Sequence, residues 1–131
     1  MMKNILIVGS GRSGMGACKL ALSKNFNVKI TDFKKIDFQV KRKLLSSLVS
    51  FEEGGHSNSN LDWADEIIIS PGVSDKIEFI QLAKKRSIPI FSEIEFAFRF
   101  TKKPIIAVTG TNGKTTTSSL IHHILKNANL N

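Results

Sequence analysis

The chain has 131 residues, 41% of them hydrophobic and 23% charged, with a formal net charge of +8. That length is near the commonest domain size and the apolar content can bury a core, which excludes a largely disordered chain. No apolar stretch approaches the ~20 residues of a membrane span, and Ile5 to Val8 is too short for a signal-peptide core, so a cytoplasmic protein with no membrane partner is expected.

The basic residues fall in short clusters, Lys34-Lys35, Lys41-Arg42-Lys43, Lys84-Lys85-Arg86 and Lys102-Lys103. Spread over several elements, they read as solvated faces that favour an anionic small molecule, and no nucleic-acid partner is expected. Cys18 lies among Met15, Ala21 and Leu22 and suits a small buried helix residue. His56 stands alone, and the adjacent His122 and His123 point about 100° apart on a helix, so no metal cage is expected in the protein itself.

Apolar runs alternate with helix-period stretches. The pattern predicts a strand over Asn4 to Val8, a helix from about Ser13 to Lys24, a strand over Val28 to Thr31, and a basic amphipathic segment at about Ile36 to Leu48. In that segment Phe38, Leu44, Leu45 and Leu48 could line one side. A strand follows at Glu66 to Ser70, closing on the turn signal Pro71-Gly72. Next come a short helix at Lys76 to Arg86 and a strand at Ile88 to Phe91. The aromatic-rich stretch Glu93 to Phe100 leads into Thr101-Lys102-Lys103-Pro104, a polar hinge at which a domain boundary is placed, giving domains 1–101 and 102–131. Beyond it the apolar run Ile105 to Val108 reads as a strand and Lys114 to Asn127 as a helix, with Leu120, Ile121, Ile124 and Leu125 on one side. The fold class is α/β, a Rossmann-like parallel sheet with helices on both faces.

Three motifs carry chemistry. The first strand runs into Gly9-Ser10-Gly11-Arg12-Ser13-Gly14, a G-x-G-x-x-G turn that lets a diphosphate approach the backbone, and Asp32 ends the second strand where a carboxylate could reach a ribose or a base. Taken alone, this motif indicates NAD. The second motif is Gly110-Thr111-Asn112-Gly113-Lys114-Thr115-Thr116, a shortened phosphate loop with Val108 where a strict Walker pattern has glycine. Lys114 would neutralise the β/γ-phosphates of ATP, Thr115 would ligate Mg²⁺, and the N–H groups of 112–116 would face phosphate oxygens. The third is Ser70-Pro71-Gly72-Val73 at a strand end, which as a bare turn is equally compatible with no ligand.

Ser70-Pro71-Gly72, Ser92-Glu93-Ile94-Glu95 and Val108 to Thr116, in this order, resemble the Mur ligases of bacterial peptidoglycan synthesis, and within them the D-glutamate-adding branch. The resemblance implies a first domain that holds the UDP of its substrate rather than NAD. Gly11, Arg12 and Ser13 would lie on the UDP loop, Asp32, Phe33 and Lys34 near the uracil, and Ser70, Pro71 and Gly72 beside the nucleotide. Phe33 and Lys34 stand where the family pattern has Thr and Arg. Residues 102–131 would open the central ATPase domain with its first strand, phosphate loop and helix. The implied reaction uses ATP and Mg²⁺ to convert the carboxylate of UDP-N-acetylmuramoyl-L-alanine to an acyl phosphate, which the amine of D-glutamate attacks. Lys114 and Thr115 would serve catalysis. The small-molecule substrates would be the only partners, and the full-length enzyme is expected to be monomeric. Sixteen residues follow Thr115, so the loop is expected to sit on a piece of its domain, inactive alone. The competing readings are an NAD(P)-dependent oxidoreductase and a basic binding module.

Overall fold

The computed structural model describes residues 2–44 and 49–130. The apolar run Asn4–Val8 forms β1, in which Ile5, Leu6, Ile7 and Val8 are all fully buried. Successive strand side chains point to opposite faces, so a strand with no exposed position needs cover on both sides. Ile5 and Ile7 pack with Ala17, Cys18 and Ala21 of α1 (Arg12–Ser23) and with Phe96 of α5 (Glu93–Phe98). Leu6 and Val8 pack with Leu61 of α3 (Ser59–Trp63) and with Phe79, Ile80 and Ala83 of α4 (Glu78–Lys85). One sheet is therefore sandwiched between two apolar layers.

Among the described residues the sheet has five parallel strands in the order β3-β2-β1-β4-β5, with β2 at Asn27–Asp32, β3 at Val49–Glu53, β4 at Glu66–Ile69 and β5 at Ile90–Ser92. This is the doubly wound fold expected from the sequence. Registers pair Val8 with Thr31 on one side and with Ile69 on the other, so the central strands finish level at their carboxyl ends. Cys18 is buried as expected, and burial pushes its thiol up to about 11.

Where the structure departs from the sequence reading, tertiary partners decide. Val49–Glu53 is a half-exposed edge strand with no run of apolar residues to announce it. The amphipathic segment begins as α2 (Phe38–Leu44), in which Leu44 is buried but Phe38 is 69% exposed, so Phe38 does not line the core; Leu45 and Leu48 lie outside the described residues. The strand expected at Ile88 starts at Ile90, because Pro89 has no N–H for the ladder and Ile88 donates to Ala83 at the end of α4. The aromatic stretch 93–98 is a helix opened by a capping box. Ser92 Oγ accepts from the Glu95 N–H at 3.2 Å, and the Glu95 carboxylate accepts from the Ser92 N–H at 2.7 Å.

Residues Met1–Thr101 make one compact unit and Lys102–Asn131 another. The second holds α6 (Lys114–Asn127), as expected from its periodicity. The strand expected over 105–108 is absent: the run has no ladder partner among the described residues, and Ile105 and Ile106 are exposed.

Phe96 is fully buried, with Phe26 at 6.2 Å and Phe100 at 5.2 Å between ring centroids. Phe96→Ala is expected to cost about 3–5 kcal/mol in urea unfolding of the chain. Phe98→Ala, at an exposed position two residues on, is expected to change stability by less than about 0.5 kcal/mol.

Candidate functional site

Because β1, β2 and β4 end in register, Gly9, Asp32 and Ser70 leave the sheet side by side. The chain winds outward in opposite directions from β1 and β4, which leaves a crevice at this carboxyl edge, the usual ligand position in open parallel sheets. The Gly9 N–H donates to the Thr31 carbonyl at 2.9 Å, and the Ser70 N–H to that of Val8 at 3.0 Å. The Ser70 hydroxyl donates to the Gly9 carbonyl at 3.2 Å.

Space at the three motif glycines differs. Gly9 has φ +102°, and a Cβ there would lie 2.9 Å from that of Ser70. At Gly14 a Cβ would fall 2.0 Å from the Gly9 carbonyl oxygen. Both are needed for the turn to close on α1. Gly11 has nothing within 4 Å of its Cβ position, so the loop's backbone is open to an approaching ligand there.

Asp32 holds the loop from within. Its Oδ2 accepts from the Ser10 N–H at 2.7 Å and the Ser10 hydroxyl at 2.6 Å, and its Oδ1 from the Lys34 N–H at 2.9 Å. Burial alone would raise its pKa, but these hydrogen bonds and the nearby His56 hold the carboxyl below the ordinary value. Asp32, expected from the sequence to reach a ligand, thus accepts two of its three hydrogen bonds from Ser10 of the glycine loop and the third from Lys34.

Two adjoining clefts open along this edge, of about 680 and 650 Å³, sharing Gly9, Asp32, Lys34, Gly72 and Val73. The first carries charges of both signs, Arg12, Lys34 and Lys35 against Asp32 and Asp37, among Gly11, Ser13, Ser70 and Pro71. The second is walled by Phe33, Val73, Ile77 and Phe79, with His56 and Asn58. Every front-site residue read from the sequence therefore lies on one cleft or the other. Val73 was already part of the third motif; missed were Gly55, His56 and Asn58, which follow the unrecognised β3, and Ile77 and Phe79, which no motif singled out. His56 Nδ1 lies 2.8 Å from the Thr31 hydroxyl, and its ring is 5.2 Å from that of Phe79. Burial keeps the imidazole below its ordinary pKa despite the pull of Glu52 and Asp32.

In the second unit the chain bends at Gly110 (φ +143°) and Gly113 (φ +78°), and Gly113 caps α6 in the left-handed conformation with no side-chain cap. The Lys114 ammonium donates to the carbonyls of Gly110 and Thr111, folding back over its own loop. Thr111, Asn112, Thr115 and Thr116 are exposed around this bend. No group of three or more His, Cys, Asp or Glu converges among the described residues. No helix among them is long and apolar enough to cross a membrane.

A family model described as Mur ligase MurD-like, N-terminal domain, matches residues 3–92, and one described as Mur ligase middle domain matches residues 108–131. The chain is 45% identical over 130 residues to a UDP-N-acetylmuramoylalanine--D-glutamate ligase of Bacteroides thetaiotaomicron, covering 99% of this chain and 29% of that protein. A protein of the same name from Pelotomaculum thermopropionicum is 37% identical over 131 residues, covering 98% and 29%. Among solved structures, the UDP-N-acetylmuramate:L-alanyl-gamma-D-glutamyl-meso-diaminopimelate ligase from Neisseria meningitides superposes with a TM-score of 0.71 at 25% identity, over 98% of this chain and 40% of that one. The chain spans under a third of the length of these curated relatives.

Gly14→Ala is expected to lose about 1–3 kcal/mol through overpacking against the Gly9 carbonyl. Gly11→Ala should stay within about 0.5 kcal/mol of the parent, as read by thermal or urea unfolding. The depressed pKa of Asp32 predicts an acid limb. Its contribution is fully present above the unfolded-state value of about 3.9 and is lost as pH falls through the lower folded-state value. Asp32→Asn should flatten that part of the stability profile in urea unfolding measured between pH 5 and 2.

Proposed function

The chain belongs to the Mur ligase family, and from that premise we propose that its first unit holds the uridine diphosphate end of a peptidoglycan precursor while its second holds the phosphates of ATP. The whole protein is then an ATP-dependent amide ligase that joins D-glutamate to UDP-N-acetylmuramoyl-L-alanine in the cytoplasm, acting as a monomer on small molecules alone. The observation that carries this reading is the pairing of one open crevice, where Arg12 stands beside the uncovered Gly11, with a second glycine bend bearing Lys114. One nucleotide needs one such bend; two bends in two units suit two anionic ligands.

Each residue has a physical task in this reading. Arg12, Lys34 and Lys35 outnumber Asp32 and Asp37 on the first cleft, so the diphosphate meets the Gly11 backbone, the Ser13 hydroxyl and cationic donors together. Pro71 and Gly72 form the turn facing them, and Phe33 offers an exposed ring at the mouth of the second cleft. Asp32 keeps the loop in the shape that exposes Gly11. In the second unit, Gly110 and Gly113 set the bend, and the N–H groups at the start of α6, with Thr111, Asn112 and Thr116, surround the phosphates. Lys114 leaves the carbonyls it now caps to neutralise the β/γ-phosphates, and the Thr115 hydroxyl takes a place on the accompanying Mg²⁺. ATP supplies the phosphoryl group that activates the acceptor carboxylate.

An NAD(P)-dependent oxidoreductase would use the first glycine turn but leave the Gly110 to Thr116 bend without a task. Thermal shift with UDP-N-acetylmuramoyl-L-alanine and with NADH separates the two. Stabilisation by the UDP-sugar is expected, and stabilisation by NADH alone would contradict the ligase reading. In calorimetric titrations Asp32→Ala is expected to weaken UDP-sugar binding about tenfold or more, by releasing the Gly11 loop. Lys114→Ala should leave that binding unchanged.

A further inference from the structure

The second cleft contains a polar centre to which the two glycine motifs assign no role. The buried Thr31 hydroxyl has three neighbours, Glu52 Oε2 at 2.7 Å, the Gly55 carbonyl oxygen at 2.9 Å and His56 Nδ1 at 2.8 Å. A hydroxyl has one proton to give and lone pairs to receive with. A carbonyl can only accept, and so can an ionised carboxylate. Glu52 is ionised: burial alone would raise its pKa, but donation from Ser57, Thr31 and Asn60 holds it below the ordinary value. The hydroxyl proton therefore goes to Glu52 or Gly55, and His56 must donate from Nδ1. With one proton on a neutral ring, Nε2 carries only a lone pair.

His56 lines the cleft with Phe79 and Phe33, and Nε2 makes no hydrogen bond among the described residues. Its surroundings suit a flat ring: Val73, Ile77 and Phe79 supply apolar wall. The adjoining cleft, which shares five residues with this one, offers phosphates the Gly11 backbone with Arg12 and Lys35. A nucleotide lying across both puts its base beside His56. We propose that His56 Nε2 reads this base, accepting a hydrogen bond from a ring N–H and so favouring uracil, whose N3 carries a proton at neutral pH, over cytosine, whose N3 does not. This assignment rests on the reading that a uridine nucleotide occupies the front clefts. Glu52 and Thr31 act as positioning residues that fix the tautomer.

Titration calorimetry with UDP and CDP at pH 7.5 tests it on the parent chain and two variants. The Asn side chain can still donate to Thr31 from the place of Nδ1 but offers nothing at the place of Nε2; Gln presents an amide oxygen near that place. His56→Asn is expected to weaken UDP binding roughly three- to tenfold and leave CDP binding unchanged, while His56→Gln retains more of the UDP affinity. Equal losses for UDP and CDP in His56→Asn, or no loss for either, would overturn the proposal while leaving the uridine site intact. A parent chain that binds neither nucleotide would overturn the site itself. Nitrogen-15 NMR of the unsubstituted chain gives a check independent of variant folding: a proton on Nδ1 and none on Nε2 is expected, and the opposite tautomer would refute the assignment.

Discussion

The close approach of three backbone segments at the carboxyl end of the sheet is the constraint on which the rest depends. β1, β2 and β4 finish level, so Gly9, Asp32 and Ser70 emerge together with too little room for side chains at Gly9 and Gly14. Omitting two Cβ atoms lets the Gly9 carbonyl lie under the first turn of α1 and receive the Ser70 hydroxyl. The crevice, the placement of Arg12 and Ser13 at the start of α1, and the facing Pro71-Gly72 turn all follow from that packing.

Charge is divided in keeping with this arrangement. Asp32 accepts from Ser10 and Lys34 at the edge of a cleft that Arg12, Lys35 and Asp37 also line, so its carboxylate is engaged with the chain's own donors while the two basic side chains stand beside it. Deeper along the same edge, Glu52 and Thr31 do for His56 what Asp32 does for Ser10, each holding a polar group in one orientation toward a cleft.

Much of the architecture was legible from local chemistry. β1 and α6 begin and end where apolar runs and glycine bends place them, because an unbroken buried strand and a glycine-capped helix leave strong local signals. β3 was invisible because an edge strand half open to solvent needs no apolar run, and with it went Gly55, His56 and Asn58. The helix at 93–98 could have been found from Ser92 and Glu95, whose spacing is that of a capping box. Ile105 to Val108 failed in the other direction: apolar character marks a candidate strand, but only a hydrogen-bonded neighbour makes one. The inward use of Asp32 and the tautomer of His56 depend on distances between residues far apart in sequence, which no local pattern encodes.

The central claim is that two glycine bends in two units hold two different anions. The most direct measurement is amide chemical-shift mapping of the isotope-labelled chain, titrated separately with UDP-N-acetylmuramoyl-L-alanine and with ATP and Mg²⁺. The account predicts two non-overlapping sets of shifted amides, one around residues 9–13, 32–34 and 70–74 and the other around 110–117. A single set that responds to both ligands, or a front loop silent to the uridine compound, would contradict it.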